Sequence, residues 1–269
     1  IFVTCPIDEN DGVVCYNFDG EEVWRQTLGP QRPGKHRNGT GSNPSPATDG
    51  EHLIVYYKSG TVAALDLEGK IRWQKNLQET YGPDTLWWDL GTSPVLAQGK
   101  VVVAVMQEGD SYLVAFDAAT GDVAWKQARQ YKTERESDQA YSTPSIISQS
   151  GQHVIVSWGA DHLTGHDLAT GKLLWESGGF NPENSGMWRV IASAAVDPQV
   201  AIVPYGRGDY LAAVKLEDAQ GDITESHRLW DLSDIGADVP SPIIDGSQLI
   251  LLTDKGAIYA LDKRTGKLL

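Results

Sequence analysis

A repeat of about 50 residues is the sequence feature that most restricts how this chain can fold. Trp24, Trp73, Trp125 and Trp175 are separated by 49, 52 and 50 residues, and a glycine lies four residues before each of them. An Asp or Asn stands upstream of each glycine, and a small side chain lies two residues further upstream. The residues at these three positions are Gly20, Gly69, Gly121 and Gly171, then Asn17, Asp66, Asp117 and Asp167, and then Cys15, Ala64, Ala115 and Gly165.

Two further copies of the repeat are less regular. The fifth is degenerate, with Ala213, Lys215, Gly221 and a displaced Trp230. The sixth ends the chain and contains Ala260, Asp262 and Gly266. A second marker runs in phase with the first, because a Ser or Thr followed by Pro, or once by Ala, recurs every 48 to 50 residues. The marker residues are Ser45, Ser93, Thr143, Ser193 and Ser241.

Each unit has the pattern of four short strands. In the second copy the predicted strands are Ser45–Ala47, His52–Tyr57, Thr61–Asp66 and Lys70–Gln74, separated by turns rich in Gly and polar residues. No segment shows a sustained helical period of 3.6 residues. Four antiparallel strands in about 50 residues are typical of a propeller blade. We therefore predict an all-β fold, a β-propeller of four-stranded antiparallel blades with about six repeats visible.

The repeat residues are predicted to be structural. Stacked blades bury the sheet faces that a lone blade would expose, and tryptophan contributes the largest area. Glycine suits the left-handed positions of tight turns, and an Asp side chain can accept hydrogen bonds from backbone N–H groups across the turn. Structural roles are therefore predicted for Trp24, Trp73, Trp125, Trp175, Gly20, Gly69, Gly121, Gly171, Asp66, Asp117, Asp167 and Asp262.

The pattern small-x-Asp-x-x-Thr-Gly-x-x-x-Trp resembles the tryptophan-docking repeat of the PQQ-like, or quinoprotein-alcohol-dehydrogenase-like, β-propellers. Its best copies are residues 115–125 and 165–175, and residues 260–267 are similar. The resemblance covers nearly the whole chain and implies the propeller fold and an exported, periplasmic protein. It leaves activity open, because the family contains PQQ-dependent dehydrogenases and also non-enzymatic members. One of these is the propeller lipoprotein of the bacterial outer-membrane protein assembly machine.

The six units predict one propeller domain over residues 1–269. Ile1–Pro6 and Val13–Asn17 match the second and third strands of a blade, so the first blade lacks its first strand. Gly266 predicts a tryptophan four residues later, one residue beyond Leu269. We therefore expect three strands, four whole blades and three more strands. This arrangement would be a fragment, incomplete at both ends, of a propeller with seven or eight blades.

Charge and hydropathy exclude several classes of partner. The 22 Lys and Arg residues face 36 Asp and Glu residues, which gives a net charge of −14, whereas nucleic acids and anionic membranes attract basic surfaces. The longest apolar run, Val101–Met106, is much shorter than the ~18 residues of a membrane span. We therefore predict neither a nucleic-acid partner nor a membrane span.

Loops at one face of the predicted propeller carry the candidate binding residues. The loops from the fourth strand of one blade to the first of the next surround the mouth of the central channel. Three tryptophans lie in these loops outside the repeat phase, and two charged residues lie four positions before a Ser or Thr marker. Aromatic residues beside charges in loops are typical of binding sites. We predict a site for a protein or extended ligand formed by Trp87, Trp88, Asp89, Tyr141, Trp188 and Arg189.

Purely structural roles compete with this prediction. The three tryptophans would instead cap the core, and Asp89 and Arg189 would form an exposed ion pair or be solvated. The mixed-charge string Glu134–Asp138, in the same loop as Tyr141, is interpreted as a solvated loop.

The alternative function is a quinoprotein oxidoreductase that uses PQQ and Ca²⁺. The resemblance implies that such an enzyme needs a vicinal cysteine pair, a tryptophan beneath the quinone, several oxygen ligands for Ca²⁺ and an aspartate base. Cys5 and Cys15 are not adjacent, and no run of residues groups several Ca²⁺ ligands. We therefore predict no cofactor and no metal, and a non-catalytic propeller that acts as a rigid binding platform.

Overall fold

The computed structural model describes residues 1–149 and 151–269, and its regular structure is almost entirely β. Within these residues six sheets, antiparallel apart from one parallel pairing in sheet IV, follow one another along the chain and are called sheets I to VI. Sheet I contains β1 (Phe2–Ile7), β2 (Asn10–Tyr16) and β3 (Glu22–Pro30). Sheet II contains β4 (Ala47–Thr48), β5 (Leu53–Tyr56), β6 (Thr61–Leu65) and β7 (Ile71–Asn76). Sheet III contains β8 (Val95–Ala97), β9 (Lys100–Val105), β10 (Tyr112–Asp117) and β11 (Val123–Ala128).

The second half of the chain continues this order. Sheet IV contains β12 (Ser145–Gln149), β13 (Gln152–Gly159), β14 (His162–Asp167) and β15 (Leu173–Ser177). Sheet V contains β16 (Ala195–Val196), β17 (Val200–Tyr205) and β18 (Tyr210–Lys215); the chain then forms β19 (Gly221–Asp222), which joins sheet IV, and returns as β20 (Arg228–Ser233). Sheet VI contains β21 (Ile243–Asp245), β22 (Gln248–Leu252) and β23 (Ile258–Asp262).

Helical segments are few and short. One α-helix, α1 (Leu77–Tyr81), follows sheet II, and Asn76 caps it by accepting hydrogen bonds from the backbone N–H groups of Gln78 and Glu79. Two 3₁₀ helices span Arg135–Asp138 and Gly206–Gly208. The sequence does not predict α1, because five residues are too few to show a helical period.

The sheets are the blades of a propeller, as predicted. The first strands of sheets II to VI contact one another in sequence, so they line the axis and the later strands lie progressively further out. Among the described residues, sheets I and VI have three strands each, and sheets II, III and V have four. This is the expected order of three strands, four whole blades and three strands, with one extra strand added to sheet IV.

Hydrogen bonds between the Ser and Thr markers connect the blades around the axis. The hydroxyl of each marker accepts a hydrogen bond from the backbone N–H of the marker in the preceding blade. These bonds join Ser45 to Ser93 (2.9 Å), Ser93 to Thr143 (3.0 Å), Thr143 to Ser193 (2.9 Å) and Ser193 to Ser241 (3.0 Å). The second sequence marker is therefore a contact between blades, which the sequence pattern alone does not reveal.

Tryptophans make a second set of contacts between blades. The indole N–H of a blade donates to a backbone carbonyl in the turn of the following blade. The donors and acceptors are Trp24 and Leu67 (2.9 Å), Trp73 and Ala118 (2.7 Å), Trp125 and Leu168 (3.0 Å), and Trp230 and Lys263 (3.1 Å). Each ring lies on the repeat glycine of that turn. At Gly121, φ is +75° and a Cβ atom would lie 2.6 Å from Cδ2 of Trp73, so both the backbone and the packing require glycine.

The contact between sheets IV and V departs from this pattern. The Trp175 indole folds back over Gly165, its cross-strand partner, where a Cβ atom would lie only 2.1 Å from the ring. Within the described part of the chain, the indole N–H has no hydrogen-bond partner. The carbonyl of Leu216, which corresponds to that of Leu168 in the preceding blade, instead accepts a hydrogen bond from the Gln149 side chain.

Residues 216–227, here called the strap, explain why the fifth repeat is degenerate. The strap leaves sheet V after β18 and crosses to the outer edge of sheet IV, where β19 pairs in parallel with β15. The backbone N–H of Ile223 donates to the carbonyl of Glu176 (2.8 Å), and the N–H of Gly178 donates to the hydroxyl of Thr224 (2.9 Å). Strand addition by the strap thus joins sheets IV and V where the tryptophan contact is missing.

Candidate functional site

The loops that join successive blades form a cavity at the mouth of the channel. Its volume is roughly 450 Å³, within the ~300–1,000 Å³ range of ligand sites. Three consecutive loops, between sheets II and III, III and IV, and IV and V, supply its walls. The lining residues are Trp88, Asp89, Gly91, Tyr141, Thr143, Arg189, Ile191 and Ser193. Four of the six predicted site residues therefore lie together here.

Trp87 and Trp88 are the exposed aromatic residues of this face. These residues are 43% and 49% exposed, although hydrogen bonds to buried residues hold their backbone in place. The backbone N–H of Trp87 donates to the side-chain oxygen of Gln139 (2.8 Å), and the N–H of Trp88 donates to the hydroxyl of Tyr141 (3.2 Å). The loop therefore holds two large apolar side chains in water at a fixed position.

Trp188 lies deeper than the other two tryptophans. Its ring packs edge-on against Tyr205, with ring centroids 5.3 Å apart, and Tyr205 packs in the same way against the buried Trp158. This position agrees with the alternative in which the loop tryptophan caps the core. Trp188 is not part of the cavity lining.

Tyr141 joins the floor of the cavity to the loop above it. Its hydroxyl donates to the side-chain oxygen of Gln139 (3.2 Å) and accepts the N–H of Trp88. Burial raises the pKa of Tyr141. The hydroxyl therefore stays protonated at neutral pH and keeps its role as a donor.

Asp89 holds its own loop to the preceding loop and also lines the cavity. Its carboxylate pairs with the ammonium group of Lys58, and both side chains are buried. It also accepts hydrogen bonds from the backbone N–H groups of Lys35 (2.7 Å) and His36 (3.1 Å). Burial acts to raise the pKa of Asp89, but these hydrogen bonds outweigh it and hold the pKa below its usual range. The expectation of a solvated carboxylate is therefore wrong.

Glu136 is a central residue of the mouth that the sequence does not single out. It is 1% exposed, so the interpretation of Glu134–Asp138 as a solvated string is wrong at Glu136, although Glu134 and Arg135 are exposed. Its carboxylate accepts the indole N–H of Trp88 (2.7 Å) and lies 3.6 Å from Arg189 and 3.9 Å from Arg207. The short 3₁₀ helix turns this side chain inward, and alternating charges in a sequence carry no signal of such a turn.

Arg189 connects two carboxylates across the mouth. Its guanidinium group lies between Glu136 and Asp238, with a nitrogen 3.4 Å from the Asp238 carboxylate, and it is largely buried. Burial raises the pKa of Asp238, and Arg189 only partly offsets this effect. The exposed ion pair of Asp89 and Arg189 therefore does not form: Asp89 pairs with Lys58, and Arg189 belongs to a largely buried network that spans three loops.

The residues that the alternative oxidoreductase would use are not assembled here. Cys5 and Cys15 lie on β1 and β2, where Cys15 faces Phe2 and Cys5 faces Gly12 across the ladder. Within residues 1–149 and 151–269, no group of three or more His, Cys, Asp or Glu side chains converges as a metal site would require. Asp89 is the carboxylate that lines the cavity and could serve as a Ca²⁺ ligand, but it is already paired with Lys58. These residues do not fit a quinone–Ca²⁺ site.

Comparisons with solved structures agree with the fold. BamB from Moraxella catarrhalis superposes with a TM-score of 0.64 at 15% sequence identity, over 99% of this chain and 73% of that structure. A quinohemoprotein alcohol dehydrogenase from Pseudomonas putida HK5 gives 0.61 at 20% identity, over 84% and 41%. A europium-containing methanol dehydrogenase gives 0.59 at 17% identity, over 83% and 49%. At these identities the likeness establishes the propeller fold alone.

Sequence comparison is more specific. The outer membrane protein assembly factor BamB of Burkholderia pseudomallei (strain K96243) is 24% identical over 215 residues, which are 79% of this chain and 49% of that protein. The chain thus spans about half the length of this curated relative. In the described residues no helix has the length and apolar character needed to cross a bilayer. The sequence model of the family described as outer membrane protein assembly factor BamB matches residues 9–269, and the chain therefore belongs to this family.

Proposed function

We propose that this chain is part of a non-catalytic, periplasmic scaffold that binds a protein partner during the assembly of outer-membrane proteins. The observation that carries the proposal is the pair of exposed indoles, Trp87 and Trp88, held in place by buried polar groups. Aromatic side chains that are fixed before binding lose little entropy on association, and they are enriched among the residues that dominate protein interfaces. Membership of the BamB family supports an assembly role.

The surface proposed for binding consists of Trp87, Trp88, Asp89, Tyr141, Trp188 and Arg189, here called the mouth surface. Its members have different roles. Trp87 and Trp88 would insert into the partner, Arg189 would contact a polar group of the partner at the rim of the cavity, and Asp89, Tyr141 and Trp188 would hold the loops. An extended segment of the partner fits this arrangement, because the cavity continues from the exposed Trp88 down to the marker residues Thr143 and Ser193.

Site-specific crosslinking in cells tests the proposal. The parent protein would carry a photoreactive phenylalanine analogue in place of Trp88, and crosslinked proteins would be identified by mass spectrometry. We expect a component of the outer-membrane assembly machinery. The matched control places the same analogue at Phe18, which is fully exposed on sheet I away from the mouth. No assembly component at position 88, or equal crosslinking from position 18, would contradict the proposal.

We further propose that binding needs neither PQQ nor Ca²⁺. This proposal is supported by the carboxylate of Asp89, which lines the cavity but is already paired with Lys58. Titration of the parent protein with PQQ in the presence of Ca²⁺, followed by absorbance and tryptophan fluorescence, tests this point. Saturable binding at micromolar PQQ would favour the oxidoreductase alternative.

A further inference from the structure

Two carboxylates lie around the exposed Trp87, outside the cavity that Trp88 lines. The indole N–H of Trp87 donates to the carboxylate of Glu108 (3.5 Å), and its backbone N–H donates to Gln139, the residue that follows Asp138. Neither Glu108 nor Asp138 belongs to the lining of the mouth cavity. Trp87, Glu108 and Asp138 are here called the Trp87 face.

Three segments of the chain supply the Trp87 face, and hydrogen bonds hold them together. Trp87 belongs to the loop between sheets II and III, Glu108 to the turn between β9 and β10, and Asp138 to the end of the first 3₁₀ helix. The hydroxyl of Thr85 donates to the carbonyl of Glu108 (2.6 Å), and the side chain of Gln139 accepts the N–H of Trp87 (2.8 Å). The face is therefore formed before binding, so a ligand has little to order.

The charges of Glu108 and Asp138 are not balanced within the chain. Four other carboxylates around the mouth have cationic partners, which are Arg32 for Asp84, Lys58 for Asp89, Arg189 and Arg207 for Glu136, and Arg189 for Asp238. Among the residues that the structure describes, no Lys, Arg or His side chain forms an ion pair with Glu108 or Asp138.

The two carboxylates also affect each other. Burial raises the pKa of Asp138 to about 6, and the negative charge of Glu108 acts in the same direction. At neutral pH both groups are still mostly ionised, because the pH lies above this value. The Trp87 face therefore carries a negative charge that a ligand of opposite sign would balance.

An exposed indole beside such carboxylates matches an arginine side chain. The face of an aromatic ring attracts cations, and tryptophan does so most strongly. Arginine suits this arrangement better than lysine, because its flat guanidinium group can stack on the ring while two of its N–H groups bind one carboxylate. Glu108 is exposed and lies at the edge of the Trp87 ring, where those N–H groups would point.

We propose that the Trp87 face binds an arginine side chain of the partner segment that occupies the mouth surface. The guanidinium group stacks on Trp87 and donates to the carboxylate of Glu108, while the partly buried Asp138 contributes its charge. The apolar part of the same segment enters the cavity beside Trp88. This inference rests on the proposed function and specifies the chemistry of the partner. Electrostatic complementarity of this kind supplies specificity at protein interfaces.

Nuclear magnetic resonance of the tryptophan indoles in the intact parent protein tests the inference. The Trp87 signal is assigned by its loss in the Trp87→Phe variant. The probe is the capped tripeptide Gly-Arg-Gly, and the comparison peptides carry citrulline, which has nearly the shape of arginine without its charge, or lysine. We expect a saturable shift of the Trp87 signal with the arginine peptide. Binding should be at least about tenfold weaker with citrulline, a change of ~1.4 kcal/mol, and about threefold weaker with lysine.

Variants of the two carboxylates locate the binding. Glu108→Gln should weaken binding of the arginine peptide at least about tenfold, and Asp138→Asn about threefold, because Asp138 acts through its charge alone. Glu134→Gln is the matched control, since Glu134 is exposed in the same loop as Asp138 and should leave binding unchanged. Equal binding of the citrulline or lysine peptide would overturn the inference, as would unchanged binding by Glu108→Gln or no shift in the wild type.

Crosslinking from position 88 separates this inference from the proposed function. An assembly component captured there by a protein that does not bind the arginine peptide would overturn the inference and leave the proposed function standing. Binding of the arginine peptide without capture of an assembly component would support the Trp87 face and contradict the proposed function. If both are observed, Glu108→Gln should lower the crosslinking yield at least about threefold, and an unchanged yield would overturn the inference.

Discussion

Single residues at the mouth show how much of the site a sequence can reveal. Trp87 and Trp88 stand out because they lie outside the repeat phase, and the structure places both at the surface. Glu136 does not stand out, because its neighbours carry charges of both signs and the inward turn depends on contacts with Arg189 and Trp88. Aromatic residues that fall outside the repeat can be recognised in a sequence. The burial of a charged residue cannot, because it depends on partners that are distant along the chain.

Replacement of Glu136 by Gln should destabilise the mouth. The amide removes the buried negative charge that faces Arg189 and Arg207 and that accepts the indole N–H of Trp88, and one hydrogen bond to a charged group contributes about 1.5–3 kcal/mol. We expect a loss in the free energy of unfolding of about that size, measured by urea denaturation. Glu134→Gln is the matched control, because Glu134 is exposed in the same loop. Equal losses in both variants would show that Glu136 contributes no more than an exposed carboxylate.

Asp11 gives stability a defined pH dependence. Burial raises the pKa of Asp11 to about 6, and a hydrogen bond from Ser59 only partly offsets this effect. The folded state thus binds a proton more tightly than the unfolded state, whose carboxyl has a pKa of about 3.9. The stabilisation from protonation is complete below the unfolded pKa and is lost as the pH rises through about 6.

The Asp11→Asn variant should therefore gain stability relative to the wild type as the pH rises from about 4 to about 7, by which point the folded-state carboxyl has ionised. The measurement is the urea unfolding midpoint of both proteins at several pH values. Asp8→Asn, a change at an exposed residue of the same blade, serves as the control. A constant difference between Asp11→Asn and wild type across this range would show that Asp11 does not titrate as described.

At the scale of elements, the repeat predicts which residues are structural but not which of them meet. The spacing marks Gly69, Gly121 and Gly171 as turn residues, and the structure shows that a tryptophan ring of the preceding blade lies on each of them. The repeat predicts the same role for Trp175. Its ring instead lies over Gly165, the residue opposite it in the neighbouring strand, because glycine has no side chain there. The strap is invisible to the repeat pattern for a related reason. An insertion has no fixed register, so its pairing with sheet IV follows from geometry rather than spacing.

Gly121→Ala should cost more stability than Gly20→Ala. Both glycines have positive φ, +75° and +83°, so the backbone strain of alanine is similar. Only at Gly121 does the new methyl group meet an indole, that of Trp73, and overpacking costs about 1–3 kcal/mol. Thermal or urea unfolding of the two variants measures the difference. Equal destabilisation would mean that the Trp73 ring moves aside at no cost.

At the scale of the whole molecule, the fold follows from the sequence more fully than the function does. The phase of two markers is sufficient to predict the propeller and the order of its blades, because the contacts between blades recur in most units. The mouth surface has no such redundancy, since each of its loops differs in length and sequence. Candidate residues can be identified from their positions in the sequence, but the contacts among them form only where three loops come together in the folded protein.

The net charge of −14 makes a prediction for the whole surface. We expect no retention of the protein by duplex DNA or by vesicles of anionic lipid at about 150 mM salt, because both carry the same sign of charge. Electrophoretic mobility shift and vesicle sedimentation measure the two interactions, with a basic protein of similar size as the positive control. Binding that weakens steeply with added salt would reveal a basic patch that the overall charge conceals.

The direction of the contacts between blades has a consequence for how the protein is made. The N–H groups of the first four markers and of the four docked indoles each donate to an acceptor in the blade that comes next in the chain. A chain that emerges with its N-terminus first presents each donor about 50 residues before its acceptor. The blade that has most recently emerged is therefore unfinished, and the next unit completes it.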